Sequence, residues 1–169
     1  KAMWCIPPKA NAAFVCAMEA VLAVYRRPSD PDYPVVCMDE TGTQCVKEVR
    51  PPVPARPGRI ERYDVEYERN GVAHLLQFYA PFIGWRRIDV ADNHGAIQWA
   101  QGVRTLVEQD FPQAKRITLV MDNLNTHNKS HFYKFLPPQK ARAMAEKFEL
   151  VFTPKHGSWL NIAEIELQV

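Results

Sequence analysis

The spacing of apolar residues changes period several times along the chain, and each change marks an element. In "NAAFVCAMEAVLAVYRR" the residues Phe14, Met18, Val21, Leu22 and Tyr25 recur at three and four positions, which predicts one face of a helix. Asn11 stands where an N-cap belongs, and Pro28 follows the end. "RRPSDPDYP" then reads as a turn-rich linker, since its prolines forbid a continuing helix. "PVVCMDE" is a short apolar run closed by two acids, which predicts a buried strand with Asp39 at its C-terminal end. Residues 50–62, "RPPVPARPGRIER", carry four prolines and four arginines and predict an extended, solvated connection. "RYDVEYERNGVAHLLQFYAP" predicts two strands joined in a tight turn at Asn70-Gly71, a dipeptide that accepts positive φ, and "GWRRIDVAD" continues as a further strand.

Beyond that point the pattern alternates. "HGAIQWAQGVRTLVEQD" predicts a helix capped by Asp92 or Asn93, with Ile97, Ala100, Val103, Leu106 and Val107 on its buried face and Pro112 beyond its end. "RITLVMD" is a strand ended by Asp122, "PPQKARAMAEKFE" a helix begun by proline, "LVFTP" a short strand and "WLNIAEIELQV" the start of a last helix. This order predicts an α/β chain with a mixed sheet: antiparallel strands first, then strands reached through helical crossovers. The chain divides into an N-terminal helix and linker, residues 1–30, and one α/β unit, residues 31–169.

Composition narrows the picture only a little. With 169 residues the chain can build one full hydrophobic core, and a formal charge of +2 neither demands nor forbids nucleic acid as a partner. No apolar run is long enough for a membrane span and no signal-peptide pattern is evident, so the chain reads as soluble and intracellular. Cys5, Cys16, Cys37 and Cys45 form no C-x-x-C pair and read as reduced apolar fillers. The chain starts at a lysine and stops at Val169 inside a predicted helix, which reads as a fragment of a longer protein.

The chemistry gathers at strand ends. A carboxylate there faces the crevice where open α/β sheets hold their ligands, and Asp39 and Asp122 come from strands able to lie side by side. Two converging carboxylates repel, and a divalent cation relieves the repulsion. Oxygen ligands select Mg²⁺ or Mn²⁺ over zinc. A third acid would complete the site: Glu164 on the last helix, with Glu166 and Glu40 as competitors. The bland alternative is that the two aspartates only cap the turns that follow their strands and Glu164 is a solvated helix residue.

In chain order, "VVCMDET", "LVMDNLNTH" and "FTPKHGSWLNIAEIE" strongly resemble the catalytic domain of bacterial insertion-sequence transposases related to the mariner superfamily, the DDE endonucleases. The opening "WCIPPKANAAFVCAMEAVLAVYRRP" and the central "RPGRIERYDVEYERNGVAHLLQFYAP" share the likeness, so it covers nearly the whole chain. The resemblance implies a ribonuclease-H-like fold, a mixed sheet with flanking helices. It puts the acidic trio at Asp39, Asp122 and Glu164, with Asn161 as the asparagine of an asparagine-x-x-glutamate motif. Between Asp122 and Glu164 stand 41 residues, more than mariner relatives typically have, which keeps Glu166 in contention. It also implies cleavage of transposon-end double-stranded DNA and strand transfer by two Mg²⁺ or Mn²⁺ ions. A homodimer when full-length and a location in the bacterial cytoplasm at the nucleoid go with that reading. Another ribonuclease-H-like nuclease, a resolvase or RNA strand cutter, is the alternative enzyme; an inactive transposase-derived fragment that binds DNA or a protein is the alternative without catalysis.

Other residues carry two readings each. His127 and His131 are spaced i, i+4 on an expected short helix, as in zinc hydrolases, but the H-E-x-x-H glutamate is missing, which speaks against zinc. By the resemblance His127 lies near the metals, in reach of a phosphate; its bland role is a helix-start hydrogen bond. Lys155 and His156, with Ser158, precede the Glu164 helix and suit DNA phosphate, although Ser158 equally suits an N-cap. Arg50, Arg56, Arg59 and Arg62 are candidates for tracking a DNA backbone, or form a solvated face. Trp85, Trp99 and Trp159 read as core or interface aromatics.

Overall fold

In the computed structural model, which describes residues 12–167, five strands form one mixed sheet in the order β3-β2-β1-β4-β5. They are β1 (Val35–Glu48), β2 (Tyr67–Ala80), β3 (Trp85–Ala91), β4 (Ile117–Met121) and β5 (Phe148–Phe152). β1, β2 and β3 pair antiparallel, whereas β1, β4 and β5 pair parallel. Helix α2 (Ala96–Thr105), extended by a π turn at Leu106–Asp110, carries the crossover from β3 to β4. A 3₁₀ segment at Lys129–Lys134 and α3 (Pro138–Glu146) carry the next one, to β5. α1 (Ala12–Tyr25) precedes β1, and α4 (Ile162–Leu167) follows a 3₁₀ turn at Ser158–Leu160. None of the described helices is long and apolar enough to cross a membrane.

Helices cover both faces, so the middle strands must be apolar on both sides, and all five residues of β4, "ITLVM", are buried. Alternation along β1 sorts its side chains between two cores. Val36 and Met38 join Trp99, Val103, Leu119, Phe132 and Phe148 on the α2/α3 face. Val35 and Cys37 join Val21, Val24, Val120, Leu160 and Ala163 on the α1/α4 face. The N-terminal helix thus shares a core with the sheet across the proline linker. Tyr25 binds it to the other end of the chain, its hydroxyl donating to the Leu160 carbonyl at 2.8 Å.

Several expectations are corrected. Asn70-Gly71 is not a hairpin turn: β2 runs straight through it, and the positive φ of Gly71 (84°) serves a β-bulge instead. Gln44 pairs with Val72 but Val46 with Arg69, so two residues of β2 stand opposite one of β1. Asp39 does not end its strand either, because β1 continues to Glu48 as the partner of β2; what ends near Asp39 is the pairing with the shorter β4, last seen at Cys37–Val120. In α2 and its π turn the buried stripe runs through Trp99, Ala100, Val103 and Leu106, and Ile97 is exposed. In α1, Leu22 is exposed and Val24 is buried in its place. Only Cys37 is a buried filler; Cys16 is exposed and Cys45 half-buried, all three being free thiols, while Cys5 and Asn11 lie outside the described residues.

Two local arrangements carry predictions. A Cβ on Gly102 of α2 would sit 2.8 Å from Cζ of Phe78, a fully buried ring. Gly102→Ala gains about 1 kcal/mol in helix propensity, but overpacking a closed core costs about 1–3 kcal/mol. With Phe78 boxed in, the clash wins, and thermal denaturation should show a lower melting temperature for the variant; a rise would show that the α2–β2 contact gives way.

The second arrangement is an ion pair that ties the segment after α1 to β4 and β5. Arg27 donates to both carboxylate oxygens of Glu149 (2.7 and 2.9 Å), and Thr118 Oγ1 donates to Glu149 at 2.8 Å. The Arg27 hydrogen bonds hold the Glu149 carboxyl at about 2, below its usual range. A depressed carboxylate stabilises the fold above its unfolded pKa, and that contribution fades as pH falls from about 4.5 towards 2. The pair is partly exposed, so the effect is modest. Melting temperatures of the wild type and Glu149→Gln should differ at pH 7 and converge only as pH falls to about 2.

Candidate metal centre

The parallel pairing of β1 with β4 builds the site. Cys37 is the register partner of Val120, so two residues further on Asp39 and Asp122 come abreast on adjacent chains. Both share the phase of Cys37 and Val120, the face covered by α1 and α4. Neighbouring strands stand about 4.8 Å apart, which sets two carboxylates beside each other.

Glu164 comes from α4. Asn161 fixes that helix: its Oδ1 accepts from the Ala163 N–H at 3.3 Å and its Nδ2 donates to the Met38 carbonyl at 2.7 Å. Asn161, not Ser158, is therefore the residue at the helix start, and Ser158 opens the preceding 3₁₀ turn. The bond to Met38 locks α4 to β1 one residue before Asp39. Asp39 and Glu164 line one cleft of about 330 Å³ with Ser158. Asp122 lines the adjoining one, about 310 Å³, with Lys155, His156 and again Ser158. Glu166 points elsewhere, to Arg86 on β3 at 3.5 Å.

Electrostatics record the convergence. Burial, and then the charges of Asp122, Glu164 and Glu40, push the Asp39 carboxyl up to about 6, against the pull of the Glu40 N–H on its Oδ1. Glu164 Oε2 is buried with no hydrogen-bond partner. A repelled carboxyl and an orphaned carboxylate oxygen are what a divalent cation would satisfy, so the donor set fits Mg²⁺ or Mn²⁺. Among the described residues no three His, Cys, Asp or Glu side chains are gathered closely enough to grip an ion as they stand.

His127 is where the site departs most from expectation. It lies in the loop before the 3₁₀ segment and not on a helix with His131. It is 2% exposed. Nδ1 donates to Asp122 Oδ1 at 2.8 Å and to the Asp122 carbonyl at 2.9 Å, and Nε2 to Glu40 Oε1 at 3.3 Å. Burial pulls the imidazole down, but the hydrogen bonds to Asp122 and Glu40 prevail and hold it at about 9, as an imidazolium. With both nitrogens engaged it has nothing left to offer a phosphate. Glu40, next to Asp39 on β1, is the partner of His127 and also lines the cleft of Asp39 and Glu164. The Glu40–His127–Asp122 chain was not foreseen, because its two ends are 82 residues apart in the sequence.

The basic candidates divide. Lys155 and His156 stand at the Asp122 cleft, where His156 takes a left-handed backbone (φ 64°). Arg50, Arg56, Arg59 and Arg62 are exposed in the connection between β1 and β2, with Arg50 on Asp64 at 3.3 Å and Arg56 bridged to Arg59. They lie past Glu48, nine residues along β1 from Asp39, and do not join the acids.

The Mos1 strand transfer complex matches with a TM-score of 0.51 at 16% identity, over 92% of this chain and 45% of that one. The Mos1 mariner paired end complex with Mn matches at 0.47 and 18% identity, over 94% and 47%. The chain spans about half the length of the solved chains it matches. At such identities the likeness is one of fold, and the fold is ribonuclease-H-like. No curated protein sequence matches. Residues 34–169 match the family described as DDE superfamily endonuclease, and with four-fifths of its length inside that match the chain belongs to this family.

Proposed function

We propose that the chain is the catalytic domain of a DNA transposase, cutting phosphodiesters at transposon ends and joining the freed 3′-hydroxyls to target DNA. The observation that carries it is the register of β1 and β4, which sets Asp39 beside Asp122 and, through Asn161, beside Glu164. Asp39, Asp122 and Glu164 are the metal ligands in this reading. When bound, a pair of Mg²⁺ or Mn²⁺ ions supplies a hydroxyl nucleophile at neutral pH and neutralises charge on the leaving oxygen.

The protein's share is positioning. His127 holds Asp122 through Oδ1 and the backbone carbonyl, which fixes the carboxylate's plane and leaves Oδ2 for the site. Asn161 fixes the start of α4, and so Glu164, against β1. Lys155 and His156 at the Asp122 cleft are the candidates to hold the DNA backbone next to the scissile bond. Arg50, Arg56, Arg59 and Arg62 would hold it further out. The Mos1 structure of like fold is a strand transfer complex, and we extend to this chain a homodimer acting on two ends in the bacterial nucleoid.

The test supplies the full-length protein with DNA carrying the element's ends, a target plasmid and Mg²⁺. Joined products dependent on Asp39, Asp122 and Glu164 are expected. Hydrolysis without joining would sink the transposase reading in favour of a simple nuclease.

A further inference from the structure

We propose that His74 and His94 form a second metal site, for a borderline transition ion such as Zn²⁺, Ni²⁺ or Cu²⁺, on the sheet face opposite the acidic trio. Their Nδ1 atoms stand 3.0 Å apart, with ring centroids 4.7 Å apart and planes tilted by 49°. Without an ion, this contact requires one ring to donate and the other to accept. An ion taking the place of the shared proton would have the two Nδ1 atoms as neighbouring ligands once the rings turn to face it. Metal–nitrogen bonds of about 2.1 Å put cis ligands about 3.0 Å apart at a right angle and about 3.4 Å apart in a tetrahedron. A small hinge of the exposed His94 ring spans that range.

The fold prepares the place. His74 pairs across β1 with Gly42 and across β3 with Ala91, so its ring is flanked by the two smallest side-chain neighbours a sheet can give. A Cβ on Gly42 would already lie 3.8 Å from the His74 ring. His94 sits in the turn that the Asn93 side chain closes by accepting from the Gly95 N–H at 3.0 Å. Both rings line a cleft of about 330 Å³ with Glu40, Thr41, Gly42 and Leu124. Glu40 already serves His127. No third His, Cys, Asp or Glu joins the pair among the described residues, so a bound ion would take its remaining ligands from water.

Ligand chemistry separates the two centres. Imidazole nitrogen favours Zn²⁺, Ni²⁺ and Cu²⁺, and carboxylate oxygen favours Mg²⁺ and Mn²⁺. An ion on the His pair would tie β2 to the entrance of α2 and set a cation at the rim of the cleft that Glu40 and Thr41 share with Asp39.

The experiment titrates Cu²⁺ and Ni²⁺ into protein carrying Asp39→Asn, Asp122→Asn and Glu164→Gln, by calorimetry and, for Cu²⁺, electron paramagnetic resonance. One bound ion with a two-nitrogen hyperfine pattern is expected. His74→Ala or His94→Ala should each weaken it at least tenfold, no less than loss of an outer partner costs a metal site. Unchanged melting temperatures would show that the two rings were not needed for folding. If the acid-depleted protein fails to fold, the same titration in the wild type under saturating Mg²⁺ replaces it. No binding, a spectrum of oxygen ligands alone, or binding that survives both histidine substitutions overturns the site. Because the acids are absent or filled, none of these outcomes touches the transposase reading.

Discussion

Asp122→Asn is expected to lower single-turnover cleavage of transposon-end DNA by at least about a thousandfold while leaving the fold intact. Charge stabilisation by a correctly held metal amounts to several kcal/mol, and each 1.36 kcal/mol is about a factor of ten in rate. The substitution is nearly isosteric, and the asparagine oxygen can still accept from His127 Nδ1, which stands 2.8 Å from Oδ1 in the wild type. What disappears is the charge beside Asp39. Calorimetry should accordingly show weaker Mn²⁺ binding by the variant, with DNA affinity in the absence of metal unchanged. Cutting at the wild-type rate would remove Asp122 from the site altogether.

Trp99→Ala should have the largest effect on stability, about 3–5 kcal/mol for truncating a fully buried aromatic, against a total of about 5–15 kcal/mol for a domain. Trp99 is 0% exposed and stacks between His127 (5.9 Å between centroids) and Phe132 (5.6 Å), and Phe132 stacks in turn on Phe148 (6.1 Å). The column runs from the His127 that holds Asp122 to the first residue of β5. Removing its centre therefore loosens the support of the site as well as the core. Urea denaturation should show a lower midpoint with an unchanged slope, and Trp99→Phe should recover most of the loss. A cost under about 1 kcal/mol would mean that this core collapses around the gap without penalty.

The sequence disclosed some of this and concealed the rest for identifiable reasons. β4 was legible because both its faces are covered, so "ITLVM" stands out as an uninterrupted apolar run and Asp122 as its stop. β1 was not: its apolar residues cover only the part flanked by β4, and the remainder, paired with β2 alone, carries the composition of a loop. Asn70-Gly71 announces a positive φ but not its use, and here a bulge uses it. Trp99 replaced Ile97 in the core because the buried face of α2 is set by the sheet it meets and not by its own period alone. The acids at 39, 122 and 164 were picked out by their motifs, whereas the burial, and after it the neighbouring charges, that raise the Asp39 carboxyl to about 6 come only from the coordinates. His127 could be noticed, but Glu40, its partner, reads in sequence only as the neighbour of Asp39. No local signal links residues separated by a whole crossover.

The mismatch in length between β1, fourteen residues, and β4, five, makes the β1–β2 ribbon an outrigger. The stretch from Asp39 to Glu48 measures about 30 Å at about 3.3 Å per residue, which equals eight or nine steps of a DNA strand at about 3.4 Å each. If the arginines at its tip grip the same duplex that the acids cut, the ribbon acts as a ruler. Oligonucleotides shorter than that span would then be cleaved without feeling whether those arginines are present.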